Sequence, residues 1–174
     1  GTCRWTPCSP SADSSRPGDN AGMKRHWLMK SEPDEFSIEA LQKVGREPWS
    51  GVRNYQARNY MMKDMRPGDA ILFYHSNCAV PGVAGLAEVA GDAYPDPTQF
   101  LRKSDYYDPA SKPEQPRWWL VDVAFSRKFK RVIALEELRG HADRLGDFAL
   151  LNRGNRLSVM PVSAAQFKFI LSLE

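Results

Sequence analysis

Two copies of the triplet Arg-Asn-Tyr lie close together, at 53–55 and 58–60, within the stretch "WSGVRNYQARNYMM". Guanidinium groups donate to phosphates or base edges, amides pair with base edges, and phenol rings stack on flat heterocycles. The triplets are five residues apart, which at about 100° per residue is roughly 140° around a helix. The two triplets cannot share a helix face, so we expect them to have different functions.

The histidines and cysteines give a weak case for catalysis. His26, His75 and His141 do not have the spacing of metal ligands, and the sequence has no GxSxG, P-loop or GxGxxG motif. Cys78 follows His75 by three residues, which suggests a thiol nucleophile. Free cysteines mostly pack as small hydrophobes, however, and neighbours in one loop seldom give a thiol its base. We therefore predict no enzyme activity, no metal and no cofactor, with a Cys78-dependent enzyme as an alternative.

Polar and aromatic residues concentrate at the ends of the predicted strands and in the loops after them. Rings can stack on the face of a flat heterocycle while amide, hydroxyl and guanidinium groups bond its edge. The alternative is that the rings belong to the core and the polar groups cap turns. The residues in question are Trp27, Lys30, Ser31, Trp49, Arg53, Asn54, Tyr74, His75, Ser76 and Asn77.

The pattern along the chain predicts the order β, α, α, β, β, long loop, β, α, β, α. Ser37 is a suitable N-cap and Gly45 a stop for the first helix, and the second helix starts near Asn54. Ser163 and Gln166 form a capping box for the last helix. This order favours an α+β fold with a small, mostly antiparallel sheet curled towards a barrel.

Three segments complete this prediction. Residues 47–52, "EPWSGV", are predicted to be a loop, and residues 134–147 to be one helix. Residues 91–116 hold five of the thirteen prolines and three tyrosines, which predicts a long irregular loop. Loops of that length in a compact domain often carry function.

Composition limits the class of protein. A chain of 174 residues with a net charge of +3 suits one domain, and its mild basicity permits a polyanionic partner without arguing strongly for one. No apolar run approaches the ~20 residues that cross a bilayer, so we expect a soluble protein that does not bind membranes. Three cysteines without a CxxC pair support neither disulfides nor zinc.

The first 22 residues differ from the remainder in being rich in Ser, Pro and Gly. We expect residues 1–22 to be a disordered leader or a non-native extension, and residues 23–174 to form one domain. We also expect a monomer. The predicted location is the cytoplasm for a bacterial source and the nucleus for a eukaryotic one.

Several motifs carry a family resemblance. The stretches "HWLMKSEP", "WSGVRNYQARNYM", "FYHSNC…PGVAGLAEV", "YPDPTQF", "YYDPASKPEQPRWWLVDV" and "NRLSVMPVS" together resemble the EVE domain, and are especially similar to the thymocyte nuclear protein family and its bacterial relatives. The resemblance runs from about Met23 to Glu174. It implies a PUA-like fold, a small curled, mostly antiparallel β-barrel with flanking α-helices, and a pocket that accepts a nucleobase.

The resemblance also implies which residues form that pocket. Trp27 and Trp49 would be ring walls, and Val52, together with Val83, would face the five-position substituent of a cytosine. Tyr106 and Tyr107 would belong to a lid. The remaining pocket residues implied are Lys30, Ser31, Arg53, Asn54, Tyr74, Ser76, Asn77, Arg156 and Ser158, and those implied to contact the nucleic-acid backbone are Arg58, His75, Lys128, Lys130 and Arg131.

Ordinary structural roles stay open for several of these residues. Trp27 could be core, Ser31, Ser76 and Asn77 could cap turns, and Arg156 could form a surface salt bridge. The function implied is a non-enzymatic nucleic-acid-binding module that recognises a modified base, such as 5-methyl- or 5-hydroxymethylcytosine in DNA. The base would be flipped into the pocket, at a cost of a few kcal/mol offset by stacking of about 1–3 kcal/mol. The alternative is a PUA-type module for modified or structured RNA.

Overall fold

The computed structural model describes residues 24–174 and shows a mixed, curled six-stranded sheet with the strand order β2-β7-β4-β3-β1-β8. The strands are β1 (His26–Ser31), β2 (Arg46–Pro48), β3 (Ala70–His75), β4 (Gly82–Val89), β5 (Tyr94–Pro95), β6 (Trp119–Leu120), β7 (Asp122–Ala134) and β8 (Val159–Val162). Strands β5 and β6 form a separate two-stranded ribbon. The predicted disordered leader, residues 1–22, lies outside the described residues.

Helices flank the sheet, so the predicted α+β class is confirmed. They are α1 (Ile38–Val44), α2 (Tyr55–Asn59), α3 (Leu135–Gly140), α4 (Ala142–Leu145) and α5 (Ala164–Ser172), with a π-helical turn (Tyr60–Asp64) after α2 and 3₁₀ turns at Pro97–Phe100 and Ala149–Leu151. Within residues 24–174, no helix is long and apolar enough to cross a membrane.

Strand directions decide which loops meet. Strands β1 and β3 pair in parallel, with Trp27 opposite Ile71, so their carboxyl ends lie side by side. Strand β8 runs antiparallel on the other side of β1. The residues just before β8 therefore reach the same edge of the sheet, where the Ser158 carbonyl accepts from the Lys30 amide.

Two apolar cores cover the two faces of the sheet. Along β1, Trp27 and Met29 belong to one core and Leu28 to the other, as the two-residue period of a strand requires. Helices α1 and α2 pack on the first face, and helices α4 and α5 on the second.

Local capping signals predicted the helix ends well. The Ser37 hydroxyl accepts from the Ala40 amide at the start of α1, and Gly45 ends that helix with a φ of 80°. The capping box of Ser163 and Gln166 is present at the start of α5. These features confirm the predictions for the first and last helices.

Two predicted segments differ from the structure. Part of the predicted loop 47–52 belongs to β2, because residues 46–48 pair with the first residues of β7 before Pro48 ends the strand. The predicted helix 134–147 is broken into α3 and α4 at His141. Gly140, a poor helix former, precedes that break.

The long segment after β4 is organised by buried polar groups. Gln99 is 0% exposed, and its side-chain amide donates to the carbonyls of Asp96 and Trp118. Its oxygen accepts from the Ser111 hydroxyl and the Trp118 amide. One glutamine therefore joins both ends of the predicted irregular loop and holds it as a packed unit.

Candidate functional site

A cavity of about 800 Å³ opens at the edge of the sheet where β1 and β3 end. Four segments line it: the end of β1 with the turn into α1, the loop after β2, the residues after β3, and the residues before β8. Tyr106 of the long loop adds a fifth wall. The parallel pairing of β1 with β3 is what brings these sequence-distant segments together.

Aromatic rings support one wall of the cavity. Trp49 is 9% exposed and meets two rings edge-on, Phe36 with centroids 6.5 Å apart and Phe73 at 5.6 Å. These contacts fix the orientation of the indole, and Val52 adds an apolar side chain nearby. A fixed ring beside a small apolar group suits a flat ligand with a small apolar substituent.

Some polar groups of the cavity already have partners. The Ser31 hydroxyl donates to the Phe36 carbonyl at 2.6 Å, which is the turn role left open from the sequence. The Asn77 amide donates to the Glu32 carboxylate at 2.6 Å, and Asn77 has a left-handed φ of 50°. These residues shape the turns at the strand ends.

Other polar groups remain available to a ligand. Within residues 24–174, no hydrogen bond or ion pair engages the side chains of Lys30, Ser76, Arg156 or Ser158, all of which line the cavity. The Lys30 ammonium lies 5.8 Å from the centroid of the Tyr74 ring, and burial lowers the pKa of Lys30. Two cations and two hydroxyls therefore face the cavity with capacity to bind.

Arg53 lines the cavity but has no donor left for a ligand. A guanidinium carries five N–H donors, and Arg53 makes five hydrogen bonds. They reach the Asp96 carboxylate, the Thr98 hydroxyl, the Val52 carbonyl and, twice, the Tyr106 carbonyl. Arg53 therefore attaches the long loop to the cavity wall, and the predicted donation from Arg53 to a base edge or phosphate is not available in this arrangement.

The partner of Arg53 is a buried carboxylate. Asp96 is 1% exposed and accepts from the Gly51 amide, the Thr98 amide and hydroxyl, and the Arg53 guanidinium. Burial by itself would raise the pKa of Asp96, but these hydrogen bonds hold the pKa below its ordinary value. Asp96 is therefore an ionised anchor of the cavity wall at neutral pH.

Arginine and aromatic side chains alternate beside the cavity. The Arg53 guanidinium lies 5.6 Å from the Tyr106 ring and 5.3 Å from the Trp118 ring. Trp118 stacks on Tyr55 with ring centroids 4.8 Å apart, and the Arg58 guanidinium lies 4.8 Å from the centroid of the Tyr55 ring. We call these five residues the Arg–aromatic ladder.

The sequence of residues 25–173 matches the family described as the EVE domain. The chain belongs to the EVE domain family. This confirms the resemblance seen in the sequence motifs.

Relatives of this EVE domain are similar over most of the chain. Thymocyte nuclear protein 1 of Danio rerio is 46% identical over 166 residues, which cover 85% of this chain and 71% of the relative. Human thymocyte nuclear protein 1 is 44% identical over 170 residues, 87% of this chain and 75% of the relative.

Solved structures share the fold. A crystal structure of the human THYN1 protein in complex with 5-methylcytosine-containing DNA has a TM-score of 0.82 and 43% identity, covering 86% of this chain and 97% of that one. A crystal structure of a Pseudomonas putida protein has a TM-score of 0.82 and 48% identity, covering 85% and 98%. These similarities confirm the predicted fold class.

Nine of the twelve predicted pocket residues line this one cavity. They are Lys30, Ser31, Trp49, Val52, Arg53, Ser76, Asn77, Arg156 and Ser158. The other three lie elsewhere. Trp27 is in the core, where its indole N–H donates to the Asp69 carboxylate at 3.0 Å. Tyr74 is buried in the second core, and Asn54 caps α2 by accepting from the Ala57 amide.

The predicted walls and lid need similar corrections. Val83 is buried in the second core instead of facing the cavity, because its position on β4 points to the other face of the sheet. Of the two lid candidates, Tyr106 lines the cavity, whereas Tyr107 is exposed and does not.

The residues predicted to contact a nucleic-acid backbone are mostly engaged within the protein. His75 is buried, its Nε2 accepts from the Ile38 amide at the start of α1, and burial lowers the pKa of His75. Lys128 pairs with Glu39 at 3.0 Å, and Arg131 pairs with Glu137 at 2.7 Å, both on the surface.

Lys130 and Arg58 differ from those three. Lys130 is exposed on β7, and its backbone amide donates to the Glu174 carboxylate. Arg58 donates to the Asn59 side chain and the Arg117 carbonyl through three hydrogen bonds, so within residues 24–174 two of its five donors have no acceptor.

Sequence reasoning missed several residues of the cavity. Three carboxylates, Glu32, Glu35 and Glu47, and two polar residues, Ser50 and Asn155, also line it. Most of them are next in sequence to a predicted pocket residue, and that proximity could have identified them. With Lys30, Arg53 and Arg156, the three carboxylates give the cavity a balanced charge.

Proposed function

We propose that this EVE domain binds DNA and recognises a modified cytosine in the cavity at the ends of β1 and β3. The observation that carries the proposal is the human THYN1 protein in complex with 5-methylcytosine-containing DNA, which shares 43% identity and a TM-score of 0.82 with this chain. The cavity supports it independently, since a supported indole and free polar groups face one space.

The cavity offers partners for each part of a cytosine. The face of the base would lie against Trp49, and its 5-substituent against Val52. The oxygen and ring nitrogen of the base accept hydrogen bonds, which Lys30 and Arg156 can donate, while its amino group can donate to the Ser76 hydroxyl or a carboxylate of the rim.

The base would have to leave the helical stack to reach this position. Flipping a nucleotide costs a few kcal/mol, and stacking on an aromatic ring offsets about 1–3 kcal/mol of that cost. The hydrogen bonds to the base edge supply the remainder. An apolar contact with a methyl group adds about 0.8 kcal/mol, which corresponds to about a fourfold preference over plain cytosine.

Binding without catalysis is the second part of the proposal. His75, the histidine nearest Cys78 in sequence, uses Nε2 to accept from the Ile38 amide, so that nitrogen is not free to act as a base for the thiol. We expect Cys78→Ser to bind every ligand as the wild-type protein does. Weaker ligand binding by Cys78→Ser would favour the alternative of a Cys78-dependent enzyme.

Titration by fluorescence anisotropy tests the proposal. Matched duplexes carrying cytosine, 5-methylcytosine or 5-hydroxymethylcytosine, and RNA of the same sequence, would be compared at one salt concentration. We expect tighter binding of a modified duplex, and loss of that preference in Val52→Ala. Equal affinity for all DNA duplexes would refute the proposal, and preference for the RNA would favour the PUA-type alternative.

A fluorescent base analogue next to the modified cytosine tests base flipping separately. We expect its emission to rise on binding, because the neighbouring stack is lost. For location, we propose the nucleus if the source is a eukaryote, supported by the name of the vertebrate relatives, and the cytoplasm if it is a bacterium.

A further inference from the structure

A second concave surface lies beside α2. A cleft of about 450 Å³ is lined by Arg58, Ala110, Lys112, Gln115, Pro116 and Arg117. Three of these residues are cationic, and none is acidic. We call this surface the basic cleft.

The basic cleft differs in charge from the cavity proposed to hold the base. The cavity is lined by as many carboxylates as cations, and Asp96 neutralises Arg53, one of those cations. A cavity with that balance suits an uncharged base, but it does not attract the phosphodiester attached to the base. The basic cleft supplies the missing positive surface.

The backbone of the basic cleft is held in place from inside the protein. The Arg58 guanidinium donates to the Arg117 carbonyl at 2.8 Å, and the Arg117 amide donates to the Ser111 hydroxyl oxygen at 3.0 Å. Ser111 in turn donates to the buried Gln99. Lys112 follows Ser111 directly, and its carbonyl accepts from the Gln115 amide. The cationic side chains therefore extend from a fixed backbone.

Donors remain free in the basic cleft. In the described part of the chain, Arg58 keeps two unused N–H groups, in contrast to Arg53, which keeps none. Among residues 24–174, no hydrogen bond or ion pair engages the side chains of Lys112 and Arg117. The nearby carboxylate of Asp108 accepts from the Trp118 indole and the Ala110 amide and does not line the cleft.

The Arg–aromatic ladder connects the basic cleft to the cavity. Arg53 at the cavity and Arg58 at the cleft are separated by three contacts of about 5 Å each, through Trp118 and Tyr55. The two guanidiniums therefore lie within about 15 Å of each other, the length of about four base steps at 3.4 Å per step. One DNA strand can reach both.

We propose that the basic cleft binds backbone phosphates of the same strand whose base occupies the cavity, with Arg58, Lys112 and Arg117 each contacting one of them. This inference rests on the proposed function for the identity of the polymer. It divides the work between two surfaces: the cavity distinguishes bases, and the cleft supplies affinity that is independent of sequence and sensitive to salt.

The test is the double variant Lys112→Ala/Arg117→Ala, which leaves Arg58 in its structural contacts. Binding to a duplex with one 5-methylcytosine and to its unmodified twin would be measured from 50 to 200 mM salt. Each phosphate contact contributes about 0.9 to the slope of log affinity against log salt. We expect the double variant to lose about 1.8 from that slope, so that its fall in affinity over this range is about tenfold smaller than that of the wild-type protein.

The matched control is Arg144→Ala/Lys168→Ala. It removes the same charge from helices α4 and α5, which pack on the opposite face of the sheet. We expect the control to keep the wild-type slope, and all variants to keep the wild-type melting temperature. An unchanged slope in the cleft variant, or an equal loss in the control, would overturn the inference.

The same data separate this inference from the proposed function. The proposed function fails if the wild-type protein binds the two duplexes equally. In that case the difference in salt slope between the wild-type protein and the double variant still tests the basic cleft. The cleft inference fails if the double variant weakens only the methylated duplex. A wild-type protein that binds neither duplex overturns both.

Discussion

Replacing Arg53 by alanine should mainly destabilise the fold. The Arg53 side chain is 22% exposed, and its partner Asp96 is 1% exposed. Removing one partner of a buried ion pair costs about 3–5 kcal/mol. Because Asp96 keeps its hydrogen bonds from Gly51 and Thr98, we expect the lower end, about 3 kcal/mol. In a domain of this size that corresponds to a fall in melting temperature of about 6–12 °C.

Thermal unfolding followed by circular dichroism, with urea titration to obtain the free energy of unfolding, measures this effect. The matched control is Arg58→Ala, the same change five positions later. Arg58 makes partly exposed hydrogen bonds with Asn59 and Arg117 and lies over the exposed ring of Tyr55, so we expect a loss of only about 1 kcal/mol. Arg53→Lys keeps the charge but has three donors for five acceptor contacts, and it should fall between wild type and Arg53→Ala.

Ligand binding supplies the refuting result. If Arg53 only attaches the long loop, Arg53→Ala should weaken plain and methylated duplexes by the same factor, measured well below its melting temperature. A variant that melts with the wild-type protein but loses its preference for the methylated duplex would show that Arg53 reads the base. The assignment of Arg53 to the structure would then be wrong.

The hydrogen bonds to Asp96 lower its pKa in the folded state, so its stabilisation is present at neutral pH and is lost as pH falls below the ordinary aspartate value of about 3.9. The difference in urea stability between wild type and Asp96→Asn should therefore shrink on acidification, and a difference that grew would contradict this. Gly51→Ala places a Cβ 2.7 Å from the Tyr106 ring, whereas the Cβ of Gly68→Ala meets open space at a similar positive φ. Both should lose about 1–2 kcal/mol from backbone strain, with a change in duplex affinity only for Gly51→Ala. Trp27→Phe removes the donor to Asp69 and should cost about 2 kcal/mol of stability with unchanged duplex affinity; reduced affinity at full stability would return Trp27 to the binding site.

Short-range signals in the sequence predicted much of the fold. An N-cap at Ser37, a stop at Gly45 and a capping box at Ser163 depend on contacts within a few residues, so residue types alone reveal them. Short apolar runs bounded by turn residues likewise identified β1, β3 and β4. These signals did not reveal that Trp27 packs near the start of β1 while the cavity lies at the end of that strand, or that Val83 faces the second core, so both residues were misplaced.

Long-range polar contacts could not be predicted from the sequence. Arg53 and Asp96 are 43 residues apart, and Asp96 lies in a segment with no helix or strand period. Nothing local to either residue reveals that the guanidinium is saturated by the protein. The same holds for Tyr55 and Trp118, whose stacking depends on the path of the long loop.

The two Arg-Asn-Tyr triplets now have separate but connected roles. Arg53 precedes α2 and lies over Trp118, while Arg58 lies within α2 and over Tyr55, so each guanidinium contacts one ring of the same stacked pair. The Arg53 guanidinium uses all five donors within the protein, whereas among residues 24–174 the Arg58 guanidinium finds acceptors for three of its five. Identical triplets therefore differ because of their partners: the first fixes the wall of the cavity, and the second keeps donors that we propose for backbone phosphates.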